Sequence, residues 1–128
     1  MIDFYKIQFH DKEPVYVQIV EYLKRAIYLG EVQNGEVLPS RREIAVQLKI
    51  NPNTAQKAFR LMEEEGLIQT PKNAASIIQY TEDTLQQIQK KMTDDIIREF
   101  VGMAKQNRLT LENVQEAIVR IWQEDDTE

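Results

Sequence analysis

The sequence contains no cysteine and a single histidine, His10, among its 128 residues. Without cysteine there is no disulfide, no thiolate nucleophile and no cysteine-ligated zinc, and one histidine argues against a catalytic triad or a histidine-rich metal site. No phosphate-binding loop, dinucleotide fingerprint or nucleophile elbow is present. Two carboxylate clusters, Asp94-Asp95 with Glu99 and Asp125-Asp126, are typical of solvated surfaces. These absences predict a protein that is not an enzyme and uses no metal or cofactor.

Long apolar runs are also missing, since none comes near the roughly 20 residues that a membrane span requires. The charged start, MIDFYKIQFHDKEP, lacks the apolar centre of a signal peptide. Hydrophobic residues still make up 42% of the chain, which is enough for a folded core. We therefore expect a cytoplasmic protein with no membrane partner.

An excess of positive charge is lacking as well, because the formal net charge is −5. Attraction to phosphate depends more on the local patch than on this sum. Residues 1–80 are neutral overall, whereas residues 81–128 carry the whole charge of −5. Between residues 39 and 60 the basic side chains face one acid, Glu43, and the local charge is +4. The acidic run that follows, Glu63–Glu65, is expected to point away from any nucleic acid.

The spacing of apolar residues and the capping residues predict five helices and a small hairpin. The helices are expected over residues 14–30, 40–48, 51–66, 81–106 and from Thr110 towards a charged, frayed tail at 124–128. Strands are expected at Tyr5–Phe9, Leu67–Thr70 and Ser76–Thr81, the last two joined by a hairpin or wing. The fold class is therefore mainly α with a small β-wing.

One face of the third helix carries amide and cationic side chains at helical spacing, namely Asn53, Gln56, Lys57 and Arg60. Amides pair with adenine in the major groove, and arginine or lysine binds guanine or phosphate. The residues nearest the start of such a helix usually reach base edges, and here they are Asn51, Asn53, Thr54 and Gln56. Arg41 and Arg42 begin the preceding helix, where phosphate is attracted. A merely solvated face is the alternative, but the tight turn before it and the hairpin after it favour a winged helix-turn-helix.

Four segments in order resemble the DNA-binding domain of GntR-type bacterial regulators: PVYVQIVEYLKRAIYLG at 14–30, LPSRREIA at 38–45, NPNTAQKAF at 51–59 and EEEGLI at 63–68. The NPNT segment and the short C-terminal region resemble the YtrA subfamily. The resemblance implies a winged helix-turn-helix that dimerises and regulates transcription, usually as a repressor. It also implies two C-terminal helices used for dimerisation in place of a large metabolite-binding domain.

Carried onto this sequence, the resemblance places the arginine of the LPS motif at Arg42 and a wing contact near Lys72. The full set expected to bind DNA is Ser40, Arg41, Arg42, Asn51, Asn53, Thr54, Gln56, Lys57, Arg60 and Lys72. Two departures stand out. Arg41 occupies a position that is often acidic in related regulators, so it adds positive charge. The wing, 72–76, lacks the usual glycines, which predicts a different shape or a smaller contribution to binding.

Residues 81–128 form too small a segment to be stable alone, so their apolar faces need a partner. Packing onto the winged helix is one solution, and pairing with a second copy is the other, which a long helix with a continuous apolar stripe favours. The residues expected to dimerise are Leu85, Ile88, Met92, Ile96, Phe100, Met103, Val114, Ile118, Ile121 and Trp122. A two-fold dimer presents two recognition helices to successive major grooves, about 34 Å apart or a multiple of that.

The sequence therefore predicts a winged helix-turn-helix DNA-binding domain at 1–80 and a helical dimerisation region at 81–128. The expected function is that of a homodimeric repressor of a bacterial operon, which binds two-fold related half-sites in double-stranded DNA. Transporter operons are common targets among similar regulators. One alternative is a dimeric winged-helix module that binds protein. A small effector between the helices of 81–128 is another possibility, although no polar cluster there indicates one.

Overall fold

The computed structural model describes residues 2–125, and they divide into two compact units, one ending at Gln89 and the other beginning at Lys90. Within this range the elements are a 3-10 turn at Phe4–Lys6, α1 at Val15–Tyr28, α2 at Arg41–Leu48, α3 at Pro52–Glu64, β1 at Ile68–Gln69, β2 at Ile77–Ile78, α4 at Glu82–Gln106 and α5 at Leu111–Asp125. This confirms the mainly α fold with a small β-wing. The acidic pair at 125–126 and the charged tail at 124–128 extend beyond the described residues.

In the N-terminal unit, α3 packs against both α1 and α2. Its apolar residues recur at spacings of three and four, so one face is fully buried, and Ala55, Ala58, Phe59 and Met62 are all inside. Ile19 and Leu23 of α1 and Ile44 of α2 complete this core. Because α3 is held by one face between two helices, its opposite face is left exposed.

The helix starts follow the predicted caps. The Ser40 hydroxyl accepts the N–H of Glu43, while the Glu43 carboxylate accepts the N–H of Ser40, which is a complete capping box. Asn51 caps α3, with Pro52 in its first position. In the C-terminal half of the chain Thr81 and Thr110 accept N–H groups three residues later. Each of these caps forms within one turn of chain, so it can be predicted from the sequence.

The sheet is a short antiparallel hairpin in which Ile68 pairs with Ile78. Residues 35–38 run along the other side of β2, where the N–H of Leu38 binds the Ser76 carbonyl at 2.9 Å. The second strand is shorter than predicted because the side chain of Asn34 accepts the N–H of Tyr80 at 2.7 Å and takes that residue out of the ladder. We call residues 71–75, which connect the two strands, the wing.

The predicted strand at Tyr5–Phe9 is wrong, because this segment begins with the 3-10 turn Phe4–Lys6. The Asp3 carboxylate accepts the N–H of Tyr5, and Phe4 is buried with its ring centroid 5.8 Å from that of Tyr22. The Tyr22 hydroxyl donates to the Asp3 carbonyl at 2.6 Å. No sequence period signals these contacts, since the turn is shaped by a helix that begins about ten residues later.

The C-terminal unit contains most of α4 and all of α5. Between them lies an apolar groove of ≈ 590 Å³, lined by Ile96, Ile97, Phe100, Leu109, Asn113, Val114, Ala117, Ile118, Ile121 and Trp122. Trp122 is 70% exposed and Ile96 is 64% exposed. No helix in the described part of the chain is both long enough and apolar enough to cross a membrane.

Candidate nucleic-acid interface

The exposed face of α3 is the one predicted to read DNA. Asn53, Gln56, Lys57 and Arg60 are all exposed, and Thr54 is half-buried beside them. The polar and the apolar residues of α3 each recur with the helical period, so their side chains lie on opposite faces of the helix. We call Asn53, Gln56, Lys57 and Arg60 the reading face.

A shallow groove of ≈ 580 Å³ separates the beginning of α3 from α2. Its lining comprises Arg41, Arg42, Ala45, Val46, Ile50, Pro52, Asn53 and Gln56. The structure therefore brings together the arginines of α2 and the first amides of the reading face, which are 11 or more residues apart in the sequence. Such a concave, amide-lined and cationic surface suits a nucleic-acid backbone and base edges.

Two predicted contacts also shape the backbone. The side-chain oxygen of Asn51 accepts the N–H of Asn53 at 2.7 Å, and the Ser40 oxygen accepts that of Glu43 at 3.1 Å. These oxygens are therefore occupied as helix caps. The Ser40 O–H and the Asn51 NH₂ are donors, and phosphate oxygens accept from such groups.

The two neighbouring arginines of α2 differ in their surroundings. Arg42 is exposed, and within the described residues its guanidinium has no hydrogen bond or ion pair. Arg41 instead donates from Nη2 to the Glu63 carboxylate at 3.3 Å and lies over the Phe59 ring, 4.8 Å from its centroid. Arg42 thus presents a free cation to the groove, whereas the charge of Arg41 is largely balanced within the protein.

The wing is anchored at both ends by hydroxyl groups. Thr70 Oγ1 donates to Glu63 at 2.9 Å and lies 2.6 Å from Ser76 Oγ. Asn73 has a φ of 59°, so this residue provides the left-handed conformation in a wing that lacks glycine. Lys72 is exposed at the wing and, among the described residues, has no ion-pair partner.

The acidic run Glu63–Glu65 is mostly neutralised. Glu63 binds Arg41, and Glu65 accepts from Lys24 of α1 at 2.6 Å. The charge of Glu63 is offset by that of Arg41, and the charge of Glu65 by that of Lys24, so neither pair adds net charge to the surface of α2 and α3. Lys57 of the reading face lies 5.9 Å from the ring centroid of Tyr16, so it leans towards α1.

Sequence reasoning missed Val46 as a residue of the groove. Val46 is 72% exposed and lines the same groove, one helical turn after Arg42. Lys49 is exposed in the turn between α2 and α3, with a φ of 55°. The helical spacing from Arg42 could have identified Val46, whereas the left-handed backbone at Lys49 has no signal in the sequence.

The dimerisation residues predicted from the sequence fall into different environments. Ile96, Met103, Ile118, Ile121 and Trp122 are exposed, whereas Leu85, Met92, Phe100 and Val114 are half-buried. Ile88 is 4% exposed in the single chain, so little of its side chain is available to a partner. The additional exposed residues Ile97 and Leu109 line the groove of the C-terminal unit.

The remaining candidates have local partners. The His10 ring nitrogen accepts the N–H of Lys12 at 3.1 Å in an exposed turn. Asp94 and Asp95 accept from Lys90 and Lys91, one helical turn earlier, at 3.0 and 2.8 Å. The hydrogen bond and the charge of Lys90 hold the pKa of Asp94 below its usual range.

Comparison with known proteins agrees with this geometry. The family model for bacterial regulatory proteins of the gntR family matches residues 15–78, which run from α1 to β2. An uncharacterized HTH-type transcriptional regulator of Bacillus subtilis (strain 168), YhcF, is 32% identical over 111 residues, covering 87% of this chain and 92% of the relative. The HTH-type transcriptional repressor YtrA of the same organism is 31% identical over 109 residues, covering 84% of each.

A solved structure extends the match to the fold. The crystal structure of a transcriptional regulator from Oenococcus oeni is 27% identical, covers 93% of this chain and 99% of that chain, and superposes with a TM-score of 0.76. These relatives are transcriptional regulators and not enzymes. The chain therefore belongs to the GntR family of DNA-binding bacterial transcription regulators, with a winged helix-turn-helix and a resemblance to YtrA-type members.

Proposed function

We propose that this chain is a homodimeric repressor that binds two-fold related half-sites in double-stranded DNA through α3. The observation that carries the proposal is the reading face, exposed beside the free guanidinium of Arg42. Asn53 and Gln56 offer amides to adenine edges in the major groove, while Arg42 offers a cation to phosphate. Repression follows because a dimer on promoter DNA occludes polymerase. A regulator of transcription acts beside the bacterial chromosome, so the proposed location is the cytoplasm.

The distribution of unpaired positive charge supports DNA binding by α2, α3 and the wing. The cations left without a carboxylate partner in the described structure include Arg42, Arg60 and Lys72, and they lie on α2, α3 and the wing. Each cation that neutralises a phosphate releases counterions, so affinity falls with salt by a logarithmic slope of about 0.9 per contact. Arg42, Lys57, Arg60 and Lys72 are the proposed phosphate contacts. Asn51, Asn53, Thr54 and Gln56 are the proposed base readers.

The surface of the C-terminal unit supports the dimer. Its groove combines the largely exposed side chains of Ile96, Ile118 and Trp122, and monomeric proteins rarely expose contiguous apolar patches of this kind. A second copy buries the patch and gives each half-site a recognition helix, with the two helices about 34 Å apart or a multiple of that. The proposed division of labour is DNA binding by residues 1–80 and dimerisation by residues 81–128.

Selection of binding sites from random duplex DNA, with purified full-length protein, tests the DNA-binding half of the proposal. We expect an enriched sequence with two-fold symmetry and an affinity that falls steeply between low and moderate salt. Absence of enrichment, together with binding that is weak and insensitive to sequence, would contradict it and favour the alternative of a protein-interaction module. Transporter operons, the targets suggested by the family resemblance, are the first promoters to examine in a genome-wide binding experiment.

Sedimentation equilibrium tests the dimer. Ile118→Asp places a charge in the apolar groove and should raise the dimer dissociation constant at least about tenfold, since burying an unpaired charge is costly. Gln123→Asp is the matched control, because it adds the same charge to an exposed position of α5 that does not line the groove. Equal dissociation constants for the two variants would show that the groove is not the dimer contact.

A further inference from the structure

The side chains at the start of α2, the end of α3 and both ends of the wing are connected in one network. Arg41 Nη2 and Thr70 Oγ1 both donate to the same oxygen, Oε1 of Glu63, at 3.3 and 2.9 Å. Thr70 Oγ1 lies 2.6 Å from Ser76 Oγ. Thr70 directly follows β1 and Ser76 directly precedes β2, so the network closes the base of the wing.

The direction of the hydrogen bonds follows from the number of protons. A threonine hydroxyl has one proton, and Thr70 commits it to Glu63 because an ionised carboxylate can only accept. The short contact to Ser76 is therefore made by the serine proton, and Thr70 accepts it. Ser76 is 5% exposed, so its hydroxyl needs this partner. The wing base thus depends on Glu63 to orient Thr70.

The Arg41 guanidinium is engaged by other groups of the protein, while its side chain stays 36% exposed beside the groove. Its guanidinium lies over the Phe59 ring, and its Nε is buried without a hydrogen-bond partner in the described part of the chain. A cation in the first turn of a helix is disfavoured by the helix dipole, and Glu63 offsets this charge. Arg42, the next residue, has none of these contacts.

We propose that Arg41 is a positioning residue and does not bind phosphate. It acts through Glu63 and Thr70 to hold the wing, with Lys72, against α3. The inference rests on the proposed function, because it concerns how the wing is presented to DNA. It also accounts for the departure from the family pattern at this position. The positive charge of Arg41 stabilises the wing, whose turn lacks the usual glycines. Phosphate is bound by Arg42 instead.

The sign of one substitution separates this role from direct contact. If Arg41 bound phosphate, Glu63→Gln would free its charge and strengthen DNA binding. If Arg41 positions the wing, Glu63→Gln should weaken operator binding roughly 2- to 10-fold, the range that one hydrogen bond contributes. Glu64→Gln is the matched control, since it removes the same charge from the neighbouring exposed residue, which has no partner within the described chain.

An uncharged pair of variants gives an independent readout. Thr70→Val removes the hydroxyl without changing any charge and should weaken operator binding to a similar extent, whereas Thr70→Ser retains the hydroxyl and should bind like the wild type. The losses from Arg41→Gln and Glu63→Gln should not add in the double variant, because both interrupt one network. Additive losses, or a Thr70→Val protein with unchanged affinity, would overturn the proposal.

Hydrogen exchange on the DNA-free protein keeps the inference separate from the proposed function. Amides of residues 70–76 should exchange faster in Arg41→Gln and Glu63→Gln than in the wild type or in Arg42→Gln, while the amides of α1 should be unaffected. Unchanged exchange in the wing would refute the network even if DNA binding is confirmed. Faster exchange in a protein that binds no DNA would refute the proposed function and leave the network intact.

Discussion

Lys24 Nζ lies 2.6 Å from a carboxylate oxygen of Glu65, and this ion pair joins α1 to the C-cap of α3. The Lys24 side chain is only 10% exposed. A second carboxylate, Glu21, lies 3.4 Å from the same nitrogen. A largely buried ammonium group therefore lies beside two partly exposed carboxylates, and the one from Glu65 holds the C-terminal end of α3 against α1.

We expect Glu65→Gln to lower the free energy of unfolding by about 1–2 kcal/mol, because it leaves a buried ammonium with one weaker partner. Urea unfolding followed by far-UV circular dichroism measures this, whereas fluorescence of Trp122 would report on the C-terminal unit. Glu64→Gln removes the same charge at an exposed position and should change the stability by less than about 0.5 kcal/mol. Similar losses in both variants would show that the pairing with Lys24 is unimportant.

The reading face leads to a prediction about specificity. Asn53→Ala should reduce discrimination at one base pair by about 1–3 kcal/mol, because a paired amide is lost from the major groove. Arg42→Gln should instead weaken binding to all sequences and reduce the salt slope by about 0.9. Titrations of the operator and its single base-pair variants, at several salt concentrations, distinguish these effects. If a protein carrying both Asn53→Ala and Arg42→Gln bound DNA like the wild type, the assignment of this surface to DNA binding would be wrong.

The turn between α2 and α3 requires a left-handed residue, and that residue is Lys49, with a φ of 55°. Lys49→Gly should be more stable than Lys49→Ala by about 0.5–1 kcal/mol, since glycine adopts this conformation without steric cost and alanine does not. Both variants lose the same charge, so the comparison isolates the backbone. Denaturant midpoints measure the difference, and a more stable alanine variant would contradict the observed turn.

The Lys90–Asp94 pair leads to a prediction about pH. The pKa of Asp94 is held low by the hydrogen bond from Lys90, by its charge and by Arg98. A carboxyl with a lowered pKa contributes stability above its unfolded value of about 3.9, and the contribution is lost as the pH falls through the folded pKa. Lys90→Gln should therefore shift the carboxyl titration of Asp94 upwards in NMR. Lys105→Gln, a charge removed further along α4, should leave that titration unchanged, and an equal shift in both would contradict the pairing.

Much of the N-terminal unit could be predicted because its signals are local. The capping box of Ser40 and Glu43 and the cap of Asn51 form between residues that are two or three positions apart. A short stretch of sequence is therefore enough to predict them. The buried face of α3 follows from its period for the same reason. The 3-10 turn at Phe4–Lys6 could not be predicted, because Phe4 is placed by Tyr22, which is distant in sequence.

The order of the residues alone predicts a helix-turn-helix, the polar side of α3 and the excess of positive charge between residues 39 and 60. It assigned both Arg41 and Arg42 to DNA binding, as two cations at the start of one helix. Only the tertiary structure separated them, because successive side chains of a helix point about 100° apart. That rotation directs Arg41 to Glu63, 22 residues away, and leaves Arg42 exposed beside the reading face.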